Sequence, residues 1–477
     1  MKALTILCGP PCSGKSTLAL GMDAPRFSVR HWFEPMRGRI SLPPVGTLLD
    51  DERVFAAVRT FLRAHETAAH IVFDGFPGNT AQLEWVMSEL PQAYDISFLY
   101  LSTDRETALR RALARRVCFH CDGGADPVIP TGAGCCPVCG NALSNRTDDT
   151  EQRFRERWEG HFVRARDMYR RDSHGLYRAA VDEAHKTLLQ NGLRMDLHLH
   201  TTASDGSDDP AEIMDKAASA GIGLCAVTDH DTVAGLEEAY ERTLSRGLAF
   251  LPGIEVSALW QGQLIHLLGY GIDPKSAPLR SAVEYNLAAR QEYDSRVLHK
   301  LEKRTMLPPG TEDRYRKYEW DRREGGWKLL SFLKNVGICR DGFDYLRLME
   351  ELDAGLISFL VADNAIAAIQ DTGLCVLAHP GAYGWARQTL PAHLDGLRKA
   401  GINGVECCHP QNTPALTEYL LSYCSHWKLL STGGSDEHGN LPDRTLGMPR
   451  VDTRMLDAQI VLEKIKWPDI QKTQLED

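Results

Sequence analysis

Seven times beyond residue 192, a short apolar run ends in histidine, aspartate or glutamate. The runs are LRMDLHLH (193–200), LCAVTDHD (224–231), AFLPGIEVS (249–257), QLIHLLGYG (263–271), LCVLAHPG (374–381), INGVECCHP (402–410) and LLSTGGSDEH (429–438). Helical stretches such as PAEIMDKAASAG and AHLDGLRKAG lie between them. Nearly continuous apolar strands separated by helices predict a parallel barrel or sheet. Polar residues gathered at strand C-termini are where barrel enzymes place their active sites.

The residues at these strand ends are of metal-ligand type. In His198-Leu199-His200 the two-residue period of a strand points both imidazoles to one face. Asp205 follows in a turn, Ser204-Asp205-Gly206, and His230, Glu255, His266, His379, Asp436 and His438 complete the set. A lone histidine is well explained by core packing; this many at strand ends are not. Nitrogen and oxygen ligands from separate strands suit two or three divalent ions (Mn, Zn or Fe) with bridging carboxylates. His198, His230 and Asp436 are also the expected catalytic residues of this half.

The N-terminal third carries a different chemistry. Strand LTILC (4–8) runs into Gly9-Pro10-Pro11-Cys12-Ser13-Gly14-Lys15-Ser16-Thr17, a GxxxxGKS loop between a strand and a helix. The glycines Gly9 and Gly14 let backbone N–H groups wrap phosphate oxygens, Lys15 reaches the outer phosphates, and Ser16, followed by Thr17, takes Mg²⁺. Strand HIVFD ends at Asp74, an acid placed to hold that Mg²⁺ through water. With a third strand, ISFLYLS (96–102), the pattern is a parallel sheet flanked by helices. Two CxxC pairs, Cys118/Cys121 and Cys136/Cys139, place four thiolates around a structural Zn²⁺. Arginines flank this knuckle, among them Arg111 and Arg115 before it and Arg146 and Arg157 after it. Convergent arginines stabilise charge on a transferring phosphoryl group.

Composition sets the remaining bounds. The 477 residues suffice for two domains, and 43% hydrophobic with 25% charged residues is an ordinary globular balance. A net charge of −10 argues against a general nucleic-acid-coating surface. No apolar run is long enough to span a membrane. The 13 cysteines, odd in number and without framework spacing, predict reduced thiols and a cytoplasmic location. The expected boundary falls at Gln190-Asn191-Gly192, giving domains 1–190 (lid about 116–148) and 193–477.

Residues 1 to about 190 resemble an adenylate kinase of the zinc-lid type. The matching features are the phosphate loop, DGFP with Gln82, the CxxC pairs, and Arg146-Thr147-Asp148-Asp149 followed by Arg157. The resemblance implies that Arg111 and Arg115 meet ATP phosphates, that Arg146 and Arg157 clamp the transferring group, and that Gln82 reads the acceptor base. It also implies a last strand at LYRAAVD (176–182) and a closing helix at EAHKTLLQ (183–190). The departures lie on the acceptor side: Gly78 stands where FDGFPGNTAQ would carry an arginine, and Ser28-Val29-Arg30-His31-Trp32-Phe33-Glu34 replaces the usual phosphate-gripping turn.

HLHTTASDG, TDHDT, GIEVS, IHLLGYG, LAHP and GSDEHG resemble the PHP (polymerase and histidinol phosphatase) superfamily, over residues 194–450. That likeness implies a distorted (β/α)₇ barrel in which a trinuclear metal site hydrolyses phosphoesters without a covalent enzyme intermediate. The most similar-looking branch hydrolyses nucleoside 3′,5′-bisphosphates and trims RNA 5′ ends, although Ala382 replaces a basic residue common there. An insertion at about 275–370 is expected to form a helical cap. From Asn286 to Arg340 it holds 13 Lys/Arg against 8 Asp/Glu, a charge suited to a second phosphate or a short strand. Its segment KYEWDRREGGWKLLSFLKNVGIC is distinctive and suggests no mechanism by itself. The expected function is a bifunctional nucleotide enzyme. Alternatives are a phosphatase gated by an ATP-sensing kinase-like module and a histidinol-phosphatase-like hydrolase.

Overall fold

A computed structural model describes residues 1–33, 49–117, 135, 140–145, 150–439, 444–456 and 464–465. The chain divides into two compact units, one built on Met1–Asn191 and the other beginning at Gly192.

In the first unit, β1 (Lys2–Cys8), β2 (Arg26–Phe27), β3 (His70–Asp74) and β4 (Tyr94–Tyr100) make a parallel sheet in the order β2-β3-β1-β4. Central β1 buries Leu4, Ile6 and Leu7 completely, as a strand covered on both faces must. Helix Asp51–Ala64 starts where the Asp50 carboxylate accepts the Arg53 N–H at 3.2 Å, and it buries Val54, Phe55, Ala57, Val58 and Phe61. Helices Thr80–Glu89 and Arg105–Ala114 are capped the same way, by Asn79 and Asp104. Residues 176–182 are not a strand: they open the helix Leu176–Gln190. Its buried positions Tyr177, Val181, Ala184, His185 and Leu189 recur at helical spacing, which outweighs the β-prone look of LYRAAVD.

A short antiparallel pair, β5 (Arg116–Val117) and β6 (Ser144–Asn145), frames the expected lid. Cys118, Cys121, Cys136, Cys139 and Arg146 lie outside the described residues.

In the second unit the strands are β7 (Arg194–Asp196), β8 (Leu224–Cys225), β9 (Ala249–Phe250), β10 (Gly253–Trp260), β11 (Gln263–Tyr270), β12 (Leu374–Leu377), β13 (Gly404–Cys408), β14 (Leu430–Gly433) and β15 (Val451–Asp452). They form two sheets, β10-β11-β12-β13-β14 and β15-β7-β8-β9. Parallel bridges Leu199↔Glu437, just past β7 and β14, and His230↔Glu255, from beyond β8 to within β10, join the sheets. The pairing is mixed, not parallel throughout: β10–β11 and β11–β12 run antiparallel. The cause is the two-residue connection Gln261-Gly262, too short for a crossover helix. Both residues take positive φ, 51° and 81°, the conformation that matches a two-residue hairpin to strand twist.

Between β11 and β12 the insertion is helical. Helix Ala277–Lys303 begins at the Ser276 cap and packs Val297, Leu298 and Leu301 against Tyr315, Leu329, Phe332 and Leu333 in a hydrophobic core of its own. Among the described residues, no helix is long and apolar enough to cross a membrane.

Candidate metal centre and phosphate loop

Backbone pairing brings the ligand-type residues of the second unit together. The Asp436 N–H donates to His198 O and the His200 N–H to Glu437 O, so residues 198–200 run beside 436–438. The Asp231 N–H donates to Glu255 O and the Glu255 N–H to Asp229 O, which sets His230 against β10. His266 on β11 is registered opposite Ser257. His379 follows β12 after Ala378.

Glu255 is the centre of the arrangement. Its Oε2 lies 3.2 Å from His198 Nε2, 3.1 Å from His200 Nε2 and 3.2 Å from His230 Nδ1. Its Oε1 lies 3.1 Å from His266 Nδ1 and 3.0 Å from His379 Nε2. Asp436 Oδ1 approaches His198 Nε2 at 3.3 Å and His200 Nε2 at 3.1 Å. Asp205 meets His200 Nδ1 and His438 Nε2, both at 3.5 Å. All nine predicted residues therefore meet in one place. Three groups are compact enough to hold an ion: His200/Asp205/His230/His438, His198/His200/Glu255/Asp436 and His230/Glu255/His266.

The donors fit divalent metal. Neither ring nitrogen of buried His200 has a hydrogen-bond partner, although Nε2 is near two carboxylates. His230 Nδ1 and His379 Nδ1 are likewise buried without hydrogen bonds. Lone pairs that converge without hydrogen bonds are costly unless a cation satisfies them. Protonation states agree. Burial lowers the His379 pKa to about 4 against the pull of Glu255, and holds that of His230 well below its ordinary value against Glu255 and Asp205. Burial opposes ionised Glu255, but His230, His198 and His266 hold its carboxyl well below the usual range. Neutral imidazole and ionised carboxylate are the ligating forms. His198 differs: burial disfavours its charge, yet Glu406 and Glu255 outweigh that and raise it to about 10. Asp436 and His379 adopt left-handed backbone, φ 55° and 24°, strain of the kind that collects at functional sites.

Sequence reasoning missed four supporting residues. Glu406 Oε1 lies 3.0 Å from His198 Nδ1, and its Oε2 accepts the His379 N–H at 2.8 Å. His409 Nε2 lies 3.2 Å from Asp436 Oδ2, and His198, Glu406 and His409 make a fourth possible ion site. The Arg444 guanidinium contacts the same Asp436 oxygen. Asp229 fixes the 201–205 loop by accepting from the Thr201 N–H, Thr201 Oγ1 and Ser204 Oγ. VECCHP carried the signal for the first two, an acid and a histidine at the end of an apolar run. The bulge at Glu406/Cys408 displaces the simple alternation. Arg444 lies between β14 and β15, outside any strand, and gave no signal.

The phosphate loop folds as expected. Lys15 Nζ donates to Gly9 O (2.8 Å), Pro10 O (2.7 Å) and Ser13 Oγ (3.2 Å). Burial lowers the Lys15 pKa, opposed by Asp74. Asp74 ends β3, buried, with Arg26 at 3.7 Å. Ser16 and Thr17 lie in the first turn of helix Lys15–Leu20, behind Gly14. Arg111 Nη1 donates to Cys12 O at 3.3 Å and Arg115 Nη2 to Cys12 Sγ at 2.6 Å, so both predicted arginines reach the loop. Arg157 is half-buried on helix Glu151–Arg171. Gln82 is engaged: its Oε1 accepts the Gly78 N–H at 2.8 Å and its Nε2 donates to Asp51 Oδ1 at 2.7 Å.

Comparison with known proteins agrees with both halves. A family model for the PHP domain matches residues 196–348. A phosphoribosyl 1,2-cyclic phosphate 1,2-diphosphodiesterase of Eggerthella lenta is 32% identical over 51% of this chain and 94% of its own length. A 3′,5′-nucleoside bisphosphate phosphatase of Chromobacterium violaceum is 29% identical over 51% of this chain and 87% of its own length. An adenylate kinase of Geotalea daltonii is 32% identical over 32% of this chain and 79% of its own length.

Proposed function

The chain belongs to the PHP family through its C-terminal region and to the adenylate kinase family through its N-terminal region, and we propose that this phosphoesterase–kinase fusion acts on nucleotides at both centres. The C-terminal centre hydrolyses a phosphoester of a nucleoside 3′,5′-bisphosphate or of a short RNA 5′ end. The N-terminal centre transfers a phosphoryl group from ATP. The observation that carries the first reading is Glu255 within 3.2 Å of five imidazoles, a donor set matched to several cations.

Divalent Mn, Zn or Fe held by the nine residues would neutralise phosphate charge and make a water acidic enough to attack at neutral pH. The chain's own groups orient that chemistry. Glu406 fixes the His198 ring through Nδ1, and Asp229 holds the loop that carries Asp205. Arg444, beside Asp436, supplies a positive group at the rim for a phosphate oxygen. In the kinase-like half, Lys15 serves the outer phosphates of ATP, Ser16 and Asp74 the Mg²⁺, Arg111 and Arg115 the ATP phosphates, and Arg146 and Arg157 the transferring group. Cys118, Cys121, Cys136 and Cys139 would hold a structural Zn²⁺ in the lid.

A paired assay tests the reading: metal analysis with a phosphoester panel that includes histidinol phosphate, and labelled ATP against a panel of monophosphates. The expected result is phosphate release from a 3′,5′-bisphosphate and label transfer to a nucleotide. Absence of release with ions bound would sink the first half. A second reading is favoured by Gln82, whose amide is committed to Asp51 and Gly78 rather than free for a base. In that reading the kinase-like half binds ATP and gates the phosphoesterase, and label transfer to any acceptor excludes it.

A further inference from the structure

The cap is fastened to the metal-ligand loops at three points. On helix Ala277–Lys303, fully buried Asn286 donates through Nδ2 to Asp231 Oδ1 (2.6 Å) and Ser257 O (2.8 Å), and accepts the Leu360 N–H at 3.0 Å. Asp231 adjoins His230. Farther along, Arg322 Nη1 donates to Thr202 O and Ala203 O, and the Gly326 N–H donates to Asp205 O at 2.7 Å. Gly325 and Gly326, both with positive φ (69° and 75°), turn the chain so that Trp327 lies over His230, ring centroids 5.5 Å apart. The distinctive EGGW of the sequence is therefore a wall of the metal site.

Arg290, one turn beyond Asn286, completes this wall. Its guanidinium carbon stands 3.7 Å from the Trp327 ring centroid and 5.3 Å from that of Phe359. Stacking uses the face of a guanidinium and leaves its in-plane N–H groups available. Three other cap arginines direct theirs to carboxylates, Arg316 to Glu312, Arg323 to Asp209 and Glu212, and Arg340 to Asp344, while Arg296, Arg304 and Arg322 donate to backbone carbonyls. Arg290 stacks on aromatic rings and has no carboxylate in salt-bridge range among the described residues; Asp294 and Asp231 feel its charge only from farther away. It is half-buried and one aromatic ring removed from the ligand His230.

We propose that Arg290, held flat on Trp327, is the anion subsite for a second phosphate on the same substrate, so that it selects doubly phosphorylated ribose over simple phosphomonoesters. This rests on the phosphoesterase reading above and deepens it. The subsite explains the local excess of positive charge in the cap as recognition rather than solvated surface. It also assigns Trp327 a role: to hold the guanidinium in one plane and cover one side of the scissile ester.

The test uses the full metal-loaded chain with adenosine 3′,5′-bisphosphate, 3′-AMP and p-nitrophenyl phosphate. Arg290→Met is expected to raise KM for the bisphosphate roughly ten- to hundredfold, the loss of one charge-assisted contact, with kcat little changed. The other two substrates should be unaffected and the metal content should equal wild type. Arg290→Lys should recover part of the selectivity, and Trp327→Leu should lose it with the arginine still present. Equal kinetics of Arg290→Met and wild type on the bisphosphate, or an equal loss on all three substrates, overturns the proposal. Calorimetric binding of the bisphosphate against 3′-AMP separates the two levels. Selectivity that depends on Arg290 without turnover of any ester would keep the subsite and remove the phosphoesterase reading.

Discussion

Glu406 touches two of the metal-site histidines without belonging to the predicted set. Its Oε1 faces His198 Nδ1 and its Oε2 accepts the His379 N–H, so Glu406→Gln disturbs ring orientation and charge together. Changes of this kind cost about 10- to 100-fold in metal affinity. The expected outcome is a matching rise in the metal dissociation constant, read by competition with a chelator, and unchanged affinity would remove the positioning role. The nine candidate ligands were legible because they cluster in or just after apolar runs: Glu255 and His266 lie within β10 and β11, and Asp205 lies in the turn after His200. Glu406 and His409 were half-legible, inside a motif whose bulge hides which face they take. A second residue-scale consequence lies in the cap. Burial lifts the Asp294 pKa from 3.8 to about 6, against the hydrogen bond from Tyr315. The native state then holds more protons than the unfolded chain between those values, so this group's contribution falls as pH rises through that window. A rise of that size is worth about 3 kcal/mol at most. Asp294→Asn should therefore stabilise the protein at pH 7.5 and gain much less at pH 4. Thermal midpoints at the two pH values decide it, and an equal gain at both contradicts the assignment.

At the scale of elements, pattern and connection length competed, and the shorter-range signal won. Apolar runs correctly marked the strands, but the expectation of parallel pairing failed at β10 and β11. The two-residue link Gln261-Gly262 was visible in the sequence and is incompatible with a crossover. LYRAAVD failed in the opposite sense, since its buried positions keep helical spacing and continue into Leu189. The hairpin provides its own test. A Cβ at Gly262 meets nothing within 4 Å, so the cost of a substitution there comes only from the φ of 81°. Gly262→Val should cost about 1–2 kcal/mol and Gly262→Asn distinctly less. Denaturation followed through the phosphoesterase unit measures the pair, and equal losses would mean that crowding, not backbone strain, sets the cost.

At the scale of the whole molecule, a metal-dependent phosphoesterase and a kinase share one chain, and they can be separated by single residues. Lys15 is half-buried, with its ammonium held by loop carbonyls and facing the charge of Asp74, so Lys15→Ala should reduce ATP-dependent phosphoryl transfer at least about 100-fold. The metal cluster contains none of the phosphate-loop residues, so phosphoester hydrolysis should be the same in that variant. His200→Ala reverses the pattern: it removes a donor shared by two of the candidate ion sites, and should abolish hydrolysis while leaving phosphoryl transfer intact. Adding ATP to the hydrolysis assay then distinguishes a plain fusion from a gated one. In a plain fusion the hydrolysis rate does not respond to ATP in wild type or in Lys15→Ala. In a gated enzyme wild type responds and Lys15→Ala does not, because a ligand shifts an equilibrium only through differential binding, and Lys15→Ala removes the binding. The absence of any response, together with label transfer to a nucleotide, would establish a plain fusion whose two centres work independently of each other.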